Sequence, residues 1–458
     1  MAHPRFFLQR SSPILLLALI IASLLWGISS QSSTSIAQAN PQWDHDVSNG
    51  PFMGWSTWNF LGSHVTEATF EAQAQAEASK LKQYGYRYVL LDDFWYLNPA
   101  VTVDKYGRWV VDPVRFPHGL SAVASYVHKL GLKFGAYLTP GIPLAAVSQN
   151  TPIQGTPYHA KDIADTSKTE LNYNFGHGNK VPVMYYIDYS KPGAQAYINS
   201  WARQLASWGV DFLKIDGVGD WDIPDVQAWS SALRHSGRDI YFDLSNSLDV
   251  KNAAIWYHYA NSWRIDGDIE CYKSCPGHLV NWSRIVRRFT DAPQWAAYSG
   301  HGRANDLDAL DVSNGTLDGI TDDERQTYMT LWAISGAPLN TADDLTNTDA
   351  YGLQLLTNRE VIALDQSGEV ATPISQATSQ QVWRVRNEDG SYTVALFNLG
   401  DTSATVTVNW ADLGFMSGSA RVRDLWSHTN LGTFSTGFSA SLNTHASRLL
   451  RVTPQFSE

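Results

Sequence analysis

The sequence predicts a (β/α)8 barrel followed by a C-terminal antiparallel β-sandwich domain. Short apolar runs of β type alternate with helical segments from residue 51 to about residue 345, as expected for parallel strands joined by crossover helices. Acidic residues follow several of these runs, where the mouth of a barrel would gather them. From about residue 364, strands and polar turns replace the alternation of strand and helix.

Eight segments of the first region have strand character, which favours a closed barrel over an open doubly wound sheet. No Gly-x-Gly-x-x-Gly motif follows the first of them, and this further weakens a dinucleotide-binding fold. The predicted strands cover residues 52–55, 86–92, 133–139, 211–216, 239–245, 262–268, 295–299 and 338–340. Amphipathic patterns between them predict helices at residues 120–130, 194–208, 226–235 and 322–334.

A long polar insertion follows the third predicted strand. Residues 143–187 are rich in Gly, Thr and Asn. Long loops at a barrel mouth usually shape access to the active site. We therefore expect this insertion to border the substrate.

The C-terminal region reads as an antiparallel β domain without a convincing helix. Its predicted strands are residues 381–386, 392–398, 404–409, 420–424 and 446–452, and NEDG at 387–390 is typical of a hairpin turn. Sugar binding is one role for such a domain, but packing against the barrel is the interpretation we favour. The predicted domains are residues 40–360 for the barrel and 361–458 for the β domain.

The first 39 residues have the features of an export signal. Arg5 and Arg10 precede an apolar run over residues 14–28, and Ala37-Gln-Ala39 fits a signal peptidase site. The alternative is a retained membrane anchor, because the run approaches the lower length of a membrane span. We expect cleavage, a secreted or extracytoplasmic protein, and no membrane contact afterwards.

The amino-acid composition limits which ligands and partners are expected for this chain. The chain has 44 acidic and 33 basic residues, a net charge of −11, so nucleic acid is not an expected partner. It also has 18 Trp and 21 Tyr, several beside carboxylates; such pairs suit sugars, although core packing explains most of them. The two cysteines, Cys271 and Cys275, either form one local disulfide or stay free, and no further ligands with zinc spacing lie near them.

The strand predicted at residues 211–216 carries a lysine and an aspartate that can take part in chemistry. Side chains alternate along a strand, so Lys214 and Asp216 fall on the same side. The ammonium group would lower the pKa of the Asp216 carboxyl and keep it ionised, as a nucleophile requires. The alternative is an interior ion pair that only stabilises the barrel.

A second carboxyl is expected on the strand predicted at residues 262–268. The same alternation places Arg264, Asp266 and Asp268 on one side. Retaining glycoside hydrolysis needs two carboxyl groups about 5 Å apart, one as nucleophile and one as acid and base, and two barrel strands can supply them. Alternation alone does not choose between Asp266 and Asp268.

Two adjacent acids end the second predicted strand. Asp92 and Asp93 precede Phe94 and Trp95, and the turn at a strand end lets both face the pocket as acceptors for sugar hydroxyls. A divalent cation is the competing ligand. The sequence has no spaced third acid and no glycine-containing calcium loop there, so we expect sugar, without a metal or cofactor.

These motifs together resemble glycoside hydrolase family 27, the α-galactosidase or melibiase family, over about residues 51–345. The segments PFMGWSTW at 51–58, GYRYVLLDDFW at 85–95 and DFLKID at 211–216 are similar to the family's first, second and nucleophile strands, and FPHGL at 116–120 with VHKLGLKFGAY at 127–137 is similar to the helix and strand between them. The resemblance implies a barrel with an antiparallel C-terminal β domain.

Site roles follow from the resemblance. It implies that Asp216 is the nucleophile and that Asp268, four residues after Arg264, is the acid/base in preference to Asp266. The aspartates at 92 and 93 match the pair that holds the 4- and 6-hydroxyls, which favours galactose over a pentose. The positions that match contacts to the sugar ring are Trp58, Asp92, Asp93, Tyr137, Lys214, Arg264 and Asp308.

The sequence also departs from the family pattern. Phe94 and Val218 stand where the family often has cysteines, and the motif that ends in Asp308 lacks its usual proline and methionine. Ser245 lies in a segment that touches the sugar's second carbon in the family, and a small side chain there leaves room for an N-acetyl group.

The expected activity is therefore retaining exo-hydrolysis of terminal α-linked galactose from oligosaccharides or polysaccharides. The alternatives with the same mechanism are α-N-acetylgalactosaminide, β-L-arabinopyranoside and α-glucan ends. The alternative from another class is a carbohydrate-binding protein without catalysis.

Overall fold

The computed structural model describes residues 50–172, 175, 179–300, 302–415 and 418–455. All of them belong to one compact unit, residues 45–458. No helix within these described ranges is long and apolar enough to cross a bilayer. The predicted export signal, residues 1–39, lies outside the described residues and stays a prediction.

Eight parallel strands form the barrel, and the first seven pair with one another in chain order. The first barrel strand also pairs with the last, and Leu310 forms a parallel bridge with Thr341 on the remaining side. Strands β4 to β6 belong to the insertion. The strands of this region are β1 (Met53–Ser56), β2 (Tyr88–Leu91), β3 (Lys133–Leu138), β4 (Ile142–Pro143), β5 (Ala164–Asn172), β6 (Val181–Ile187), β7 (Phe212–Ile215), β8 (Tyr241–Leu244), β9 (Ser262–Arg264), β10 (Ala304–Asp306) and β11 (Leu339–Thr341).

Helices connect the barrel strands, as the alternating pattern predicts. In the longest of them, Ala194–Trp208, the buried side chains Tyr197, Ile198, Trp201 and Leu205 recur at helical spacing and form one apolar face. The helices are α1 (Trp58–Leu61), α2 (Glu67–Lys80), α3 (Leu120–Lys129), α4 (Leu144–Gln149), α5 (Ala160–Ile163), α6 (Ala194–Trp208), α7 (Ile223–Arg234), α8 (Ala253–Tyr259), α9 (Trp282–Ile285), α10 (Arg288–Trp295), α11 (Asp322–Ile334), α12 (Ala350–Leu356) and α13 (Arg359–Asp365).

An aromatic layer fills the barrel at the beginning of its strands. The rings of Phe52 and Phe212 lie 4.8 Å apart, and the Phe212 and Tyr241 rings stack at 4.9 Å. Tyr88 and Leu90 complete this buried cluster. Because Phe52 and Leu90 also line the pocket described below, the layer forms its floor.

One predicted barrel strand is wrong. Residues 295–299 end helix α10 and continue into the 3-10 turn Ala296–Tyr298, and the seventh barrel strand is β10, Ala304–Asp306. The apolar residues before Ser299 belong to a helix that packs on the barrel, whereas β10 consists of Ala, Asn and Asp and lacks an apolar β signature. The other seven predicted strands overlap observed ones.

The polar insertion is an ordered sheet instead of a long loop. Strands β5 and β6 form an antiparallel pair, and the short β4 joins the other edge of β6. Helices α4 and α5 connect β4 to β5. Because β4 begins four residues after β3 ends, the sheet rises from the carboxyl end of the barrel strands.

The C-terminal region is an antiparallel β domain with two sheets, of six and two strands. The predicted hairpin turn is confirmed, since the Gly390 amide donates to the Asn387 carbonyl at 3.0 Å. Three strands were not predicted: β17 and β18, whose sequences are rich in Gly, Thr and Ser, and the two-residue β12. The strands are β12 (Thr372–Pro373), β13 (Gln380–Arg386), β14 (Tyr392–Asn398), β15 (Ala404–Asn409), β16 (Ser419–Asp424), β17 (Thr429–Phe434), β18 (Gly437–Leu442) and β19 (Ser447–Gln455).

The β domain packs against helix α11 of the barrel, as expected. The Trp426 indole donates to the Thr330 hydroxyl at 2.9 Å, and the Thr327 hydroxyl donates to the His445 carbonyl at 2.7 Å. These buried polar contacts fix the domain on the barrel. The predicted limits of the two domains, 40–360 and 361–458, remain predictions.

Candidate active site

A pocket of about 650 Å³, its open mouth included, lies at the carboxyl end of the barrel strands. This is the end at which barrel enzymes build their active sites. The structure brings every residue predicted for the site into its lining: Trp58, Asp92, Asp93, Tyr137, Lys214, Ser245, Arg264, Asp268 and Asp308, with Asp216.

Asp216 stands directly after strand β7. Its backbone amide donates to the Leu138 carbonyl of β3 at 2.9 Å, so the chain is still held by the barrel at this point. Gly217 then turns with a φ of 77°, a conformation that favours glycine. The Tyr137 hydroxyl lies 3.4 Å from the Asp216 carboxylate as a hydrogen-bond donor. Asp216 is thus presented to the pocket by a rigid strand end.

Lys214 lies near Asp216, as its position on the strand predicts, but makes its hydrogen bond to Asp92. The ammonium donates to Asp92 at 2.8 Å. Burial alone would lower the pKa of Lys214, but the carboxylates of Asp92 and Asp216 raise it above its ordinary value. The lysine therefore stays charged. It interacts with Asp216 through its charge and with Asp92 through a hydrogen bond as well.

Asp92 and Asp93 both face the pocket because the chain turns at the end of β2. The Thr57 hydroxyl accepts a hydrogen bond from the Asp92 amide at 3.0 Å, and Phe94 has a φ of 73°. Burial raises the pKa of Asp93 to about 7, with the neighbouring Asp92 and Asp216 adding to the shift. Near neutral pH, Asp93 can therefore donate as well as accept a hydrogen bond.

Asp268 lies on the loop after β9 and carries two hydrogen bonds. Arg264 donates to one of its oxygens at 2.6 Å, and the Tyr272 hydroxyl donates to the other at 2.7 Å. Burial opposes the charge on Asp268, but the Arg264 guanidinium and the Tyr272 hydroxyl outweigh it, and the pKa of Asp268 is lowered. In the free protein this carboxylate is ionised.

Asp266, the rival of Asp268 in the sequence, points elsewhere. Its carboxylate forms ion pairs with Arg287 and Arg288, and the Arg288 side chain is completely buried. Asp266 is not among the described residues that line the pocket. The alternation argument fails because β9 ends at Arg264, so Asp266 and Asp268 lie beyond the strand.

Asp308 is held by backbone amides at the opposite side of Arg264. The amides of Ile269 and Ala309 each donate to its carboxylate at 2.8 Å, and Arg264 lies at 3.4 Å. The residue has a φ of 79°. Asp308 therefore links the loop after β10 to the loop that carries Asp268.

Glu270 and Tyr272 also line the pocket and were not predicted. The Trp58 indole donates to Glu270 and, at 3.2 Å, to the Tyr272 hydroxyl. Burial, together with Asp268 and Asp308, raises the pKa of Glu270 to about 8. The signal available in the sequence was an acid two residues and an aromatic residue four residues after Asp268, on either side of Cys271.

The disulfide between Cys271 and Cys275 is formed, with 5.5 Å between their Cα atoms. It closes the turn that contains Tyr272. The backbone of Tyr272 has a φ of 42°, which is uncommon for a bulky side chain. The crosslink therefore fixes the direction of the Tyr272 hydroxyl towards Asp268.

Backbone strain concentrates around the pocket. Seven non-glycine residues in the described ranges have positive φ angles, and four of them border this site: Phe94, Asn246, Tyr272 and Asp308. Such conformations persist where the surrounding structure imposes them, and they cluster at functional sites. The fold therefore holds strained backbone conformations around the pocket, where they set the positions of the site residues.

Ser245 forms part of the wall. It is 1% exposed, its amide donates to the Ile215 carbonyl at 2.8 Å, and its hydroxyl has no hydrogen-bond partner among the described residues. The hydroxyl oxygen is itself covered, so Ser245 contributes to the pocket through its small volume. Its small side chain leaves space beside Asp216 and Arg264.

Three carboxylates of the pocket are close enough together to receive a cation. Oxygens of Asp268, Glu270 and Asp308 lie within 4.8 Å of one another. Arg264 already donates to two of these residues. A guanidinium therefore supplies the positive charge at this position, which suits an organic substrate with a carboxylate catalyst better than a metal centre.

The comparisons with known proteins agree with this arrangement. The family described as Alpha galactosidase A matches residues 51–174 and 171–367, and the Alpha galactosidase C-terminal beta sandwich domain matches residues 377–452. An α-galactosidase from Coffea arabica is 32% identical over 412 residues, which are 88% of this chain and 94% of that protein.

Solved structures give the same result. A GH27 β-L-arabinopyranosidase from Geobacillus stearothermophilus superposes with a TM-score of 0.80 at 32% identity, covering 90% of this chain and 98% of that one. α-Galactosidase I from Mortierella vinacea gives a TM-score of 0.72 at 27% identity, covering 90% and 100%. With its barrel, its β domain and its pocket of carboxylates, this chain belongs to glycoside hydrolase family 27, the α-galactosidase family.

Proposed function

We propose that this protein hydrolyses terminal α-linked galactosides with net retention. Asp216 attacks the anomeric carbon, and Asp268 protonates the departing oxygen and later activates water. The single observation that carries the proposal is that these two carboxylates, from the ends of different strands, face one pocket. Two carboxyl groups in these roles are what the double-displacement mechanism requires.

The neighbours of each carboxylate support its role. Asp216 has the Lys214 ammonium and the Tyr137 hydroxyl near it, and both favour the negative charge that a nucleophile needs. Asp268 lies on the loop after β9 with part of its side chain exposed in the pocket, where a leaving group would depart. The division of roles therefore follows from position: one carboxylate on a rigid strand end, the other on a loop.

The end of β2 supports galactose as the sugar. Asp92 and Asp93 present adjacent acceptors, and Lys214 adds a donor at 2.8 Å from Asp92. An axial 4-hydroxyl and a 6-hydroxyl on one side of a pyranose ring match such a cluster. The α-galactosidase from Coffea arabica, 32% identical to this chain, supports the same assignment.

Two other sugars have an observation in their favour. The structural similarity to a β-L-arabinopyranosidase favours a pyranose that matches galactose but lacks its hydroxymethyl group. The small side chain of Ser245 in the pocket lining favours a substituent at the second carbon, such as N-acetyl. We rank both sugars below galactose because neither would make more hydrogen bonds to Asp92 and Asp93 than galactose does.

Matched nitrophenyl glycosides separate these sugars. The α-galactoside is expected to have the highest kcat/KM among the α-galactoside, α-N-acetylgalactosaminide, β-L-arabinopyranoside and α-glucoside. Absence of turnover for the α-galactoside would overturn the sugar assignment and leave the two-carboxylate mechanism to be tested on whichever glycoside reacts.

The nucleophile has its own test. Replacement of Asp216→Asn removes the attacking carboxylate, so kcat should fall by a factor of about 10⁴ or more while the melting temperature stays close to that of the wild type. Proton NMR of the first-formed sugar from the wild type should show the α-anomer. An active Asp216→Asn variant, or an inverted first product, would contradict the mechanism.

A further inference from the structure

The pocket contains a second acid whose environment differs from that of Asp268. Glu270 is 6% exposed and lies two residues after Asp268 on the same loop. Carboxylate oxygens of the two residues are within 4.8 Å of each other. The Trp58 indole donates to Glu270 and, at 3.2 Å, to the Tyr272 hydroxyl. Glu270 and the Tyr272 hydroxyl are therefore held next to each other by one indole N–H.

The two acids are joined through one hydroxyl. Tyr272 donates to Asp268 at 2.7 Å, and its oxygen lies beside Glu270, since both groups accept from the Trp58 indole. The phenol oxygen can accept a proton from a carboxyl group while its own hydrogen passes onward. Glu270, Tyr272 and Asp268 thus form an unbroken chain of exchangeable hydrogens that ends where the leaving group departs.

Asp268 alone is poorly prepared to act as an acid. Arg264 donates to it at 2.6 Å, which stabilises the carboxylate and lowers its pKa. A general acid must hold a proton near the working pH. A buried group beside Asp268 that is not paired with a cation can hold the proton that the first chemical step consumes.

We propose that Glu270 is a positioning residue for Asp268 and stores, through the Tyr272 hydroxyl, the proton that Asp268 gives to the departing glycosidic oxygen. The inference rests on the proposed assignment of Asp268 as the acid/base. The raised pKa of Glu270, about 8, agrees with a carboxyl group that is protonated at neutral pH. The pair shares its protons, so its titration belongs to both residues.

The proton balance is closed. In the first step the Glu270 proton moves to the Tyr272 oxygen, the Tyr272 hydrogen moves to Asp268, and Asp268 protonates the glycosidic oxygen. The bond between that oxygen and the anomeric carbon breaks as the bond to Asp216 forms. In the second step water attacks the anomeric carbon, the bond to Asp216 breaks, and the water proton returns along the same path to Glu270.

Several charged groups surround Glu270 and change its affinity for a proton. Negative charge on the surrounding loops raises its affinity for a proton, and one cation opposes the effect. The titratable and charged groups that interact with it are Asp268 and Tyr272 on its own loop, Arg264 on β9, and Asp308 and Asp311 after β10.

The test replaces Glu270→Gln and compares two glycosides of the sugar that the wild type hydrolyses. Glutamine keeps an oxygen for the Trp58 indole and an N–H for the Tyr272 hydroxyl, so packing is preserved. With a disaccharide, kcat/KM near neutral pH should fall by a factor of about 10². With a 2,4-dinitrophenyl glycoside, whose leaving group needs no proton, it should change by less than about threefold.

The pH profile distinguishes proton storage from packing. The alkaline limb of kcat/KM for the disaccharide reports the free protein's acid. In the Glu270→Gln variant, this limb should move to lower pH by about two units, because only Asp268 remains to hold the proton. An unmoved limb, or an equal loss with both glycosides, would overturn the proposal.

Two further measurements complete the test. Tyr272→Phe should reproduce the loss with the disaccharide, and the double variant with Glu270→Gln should be no slower than either single one; additive losses would contradict a shared path. Glu388→Gln, on an exposed turn, is the matched control.

Infrared difference spectra near neutral pH should show a protonated carboxyl in the wild type that Glu270→Gln lacks, even if the sugar assignment proves wrong.

Discussion

Asp266 and Asp268 are the same residue type, but the side chains around each one give it a different role. Asp266 is buried against Arg287 and Arg288, of which Arg288 has no exposed side-chain surface. Asp268 keeps 38% of its side chain exposed and faces the pocket. Asp266 therefore neutralises the buried guanidinium of Arg288, and Asp268 is free to meet a substrate.

We therefore expect the Asp266→Asn variant to be less stable than the wild type but still catalytically active. Loss of the charge leaves the buried Arg288 without its ion-pair partner, and breaking such a pair costs about 3 kcal/mol. Urea unfolding should show this decrease, while turnover per folded molecule stays far above that of Asp268→Asn.

Asp268→Asn is the matched comparison for that experiment. It should lose hydrolysis of disaccharides without a comparable loss of stability, because Asp268 is partly exposed. If Asp266→Asn abolished turnover and kept the wild-type free energy of unfolding, Asp266 would be the acid/base and the assignment of Asp268 would be wrong.

Positions of the pocket residues could be predicted from sequence, but their partners could not. Lys214 was placed beside Asp216 by strand alternation, and its hydrogen bond goes instead to Asp92 on another strand. Alternation describes one strand and says nothing about which neighbouring strand supplies the nearer oxygen. Glu270 was missed for a similar reason, since its properties come from burial under Trp58 and from Asp268 and Asp308.

Helix α11 links the barrel to the β domain, and its first turn depends on a reciprocal cap. The Thr321 hydroxyl accepts from the Glu324 amide at 3.3 Å, and the Glu324 carboxylate accepts from the Thr321 amide at 2.7 Å. The other carboxylate oxygen of Glu324 contacts His445 at 2.6 Å. One glutamate therefore both caps the helix and holds the β domain.

Thr321→Ala should lower the free energy of unfolding by about 1 kcal/mol, the usual value of such a cap. The hydroxyl that satisfies the Glu324 amide is removed, while the rest of the helix is unchanged. Thr321→Ser keeps the hydroxyl and should stay close to the wild type in the same chemical unfolding measurement. Equal stability of the alanine and serine variants would show that the cap contributes nothing.

The elements that sequence reasoning found are those with a strong periodic pattern. Helix α6 and strand β14 have the predicted bounds because each has an apolar side that the core demands. Strand β10 was missed because its three residues, Ala, Asn and Asp, have no apolar β pattern of their own and form a strand only where β9 supplies a partner. Tertiary pairing, which no local window contains, decides such elements.

Buried carboxyl groups with raised pKa values occur throughout the molecule. They lie on barrel strands, in loops and in the helices, and each binds a proton more tightly in the folded protein than in the unfolded chain. Burial is the largest cause in every case. The groups with large shifts outside the substrate pocket include Glu77, Asp222, Asp225, Asp311, Asp318 and Asp365.

These groups give stability a definite dependence on pH. When the folded pKa of a carboxyl is raised, the folded state binds more protons between the unfolded and folded values, so stability falls as pH rises through that interval. Carboxyls with lowered pKa, such as Asp188 and Asp249, act in the opposite direction only in acid, near their own titration. The protein should therefore be most stable in mildly acidic solution and lose stability towards alkaline pH.

Asp222 offers the sharpest test of this dependence. It is 1% exposed, its pKa is raised by burial to about 8, and its carboxylate accepts from the Gly219 amide at 2.8 Å. Asp222→Asn keeps an oxygen for that amide and removes the titration. Between about pH 5 and 8, the wild type should lose about 1.4 kcal/mol per pH unit more than the variant, measured by urea unfolding at several pH values. Asp188→Asn, an exposed aspartate that is ionised throughout this range, should keep the wild-type slope; equal slopes in the wild type and Asp222→Asn would mean that Asp222 is already ionised in the folded protein.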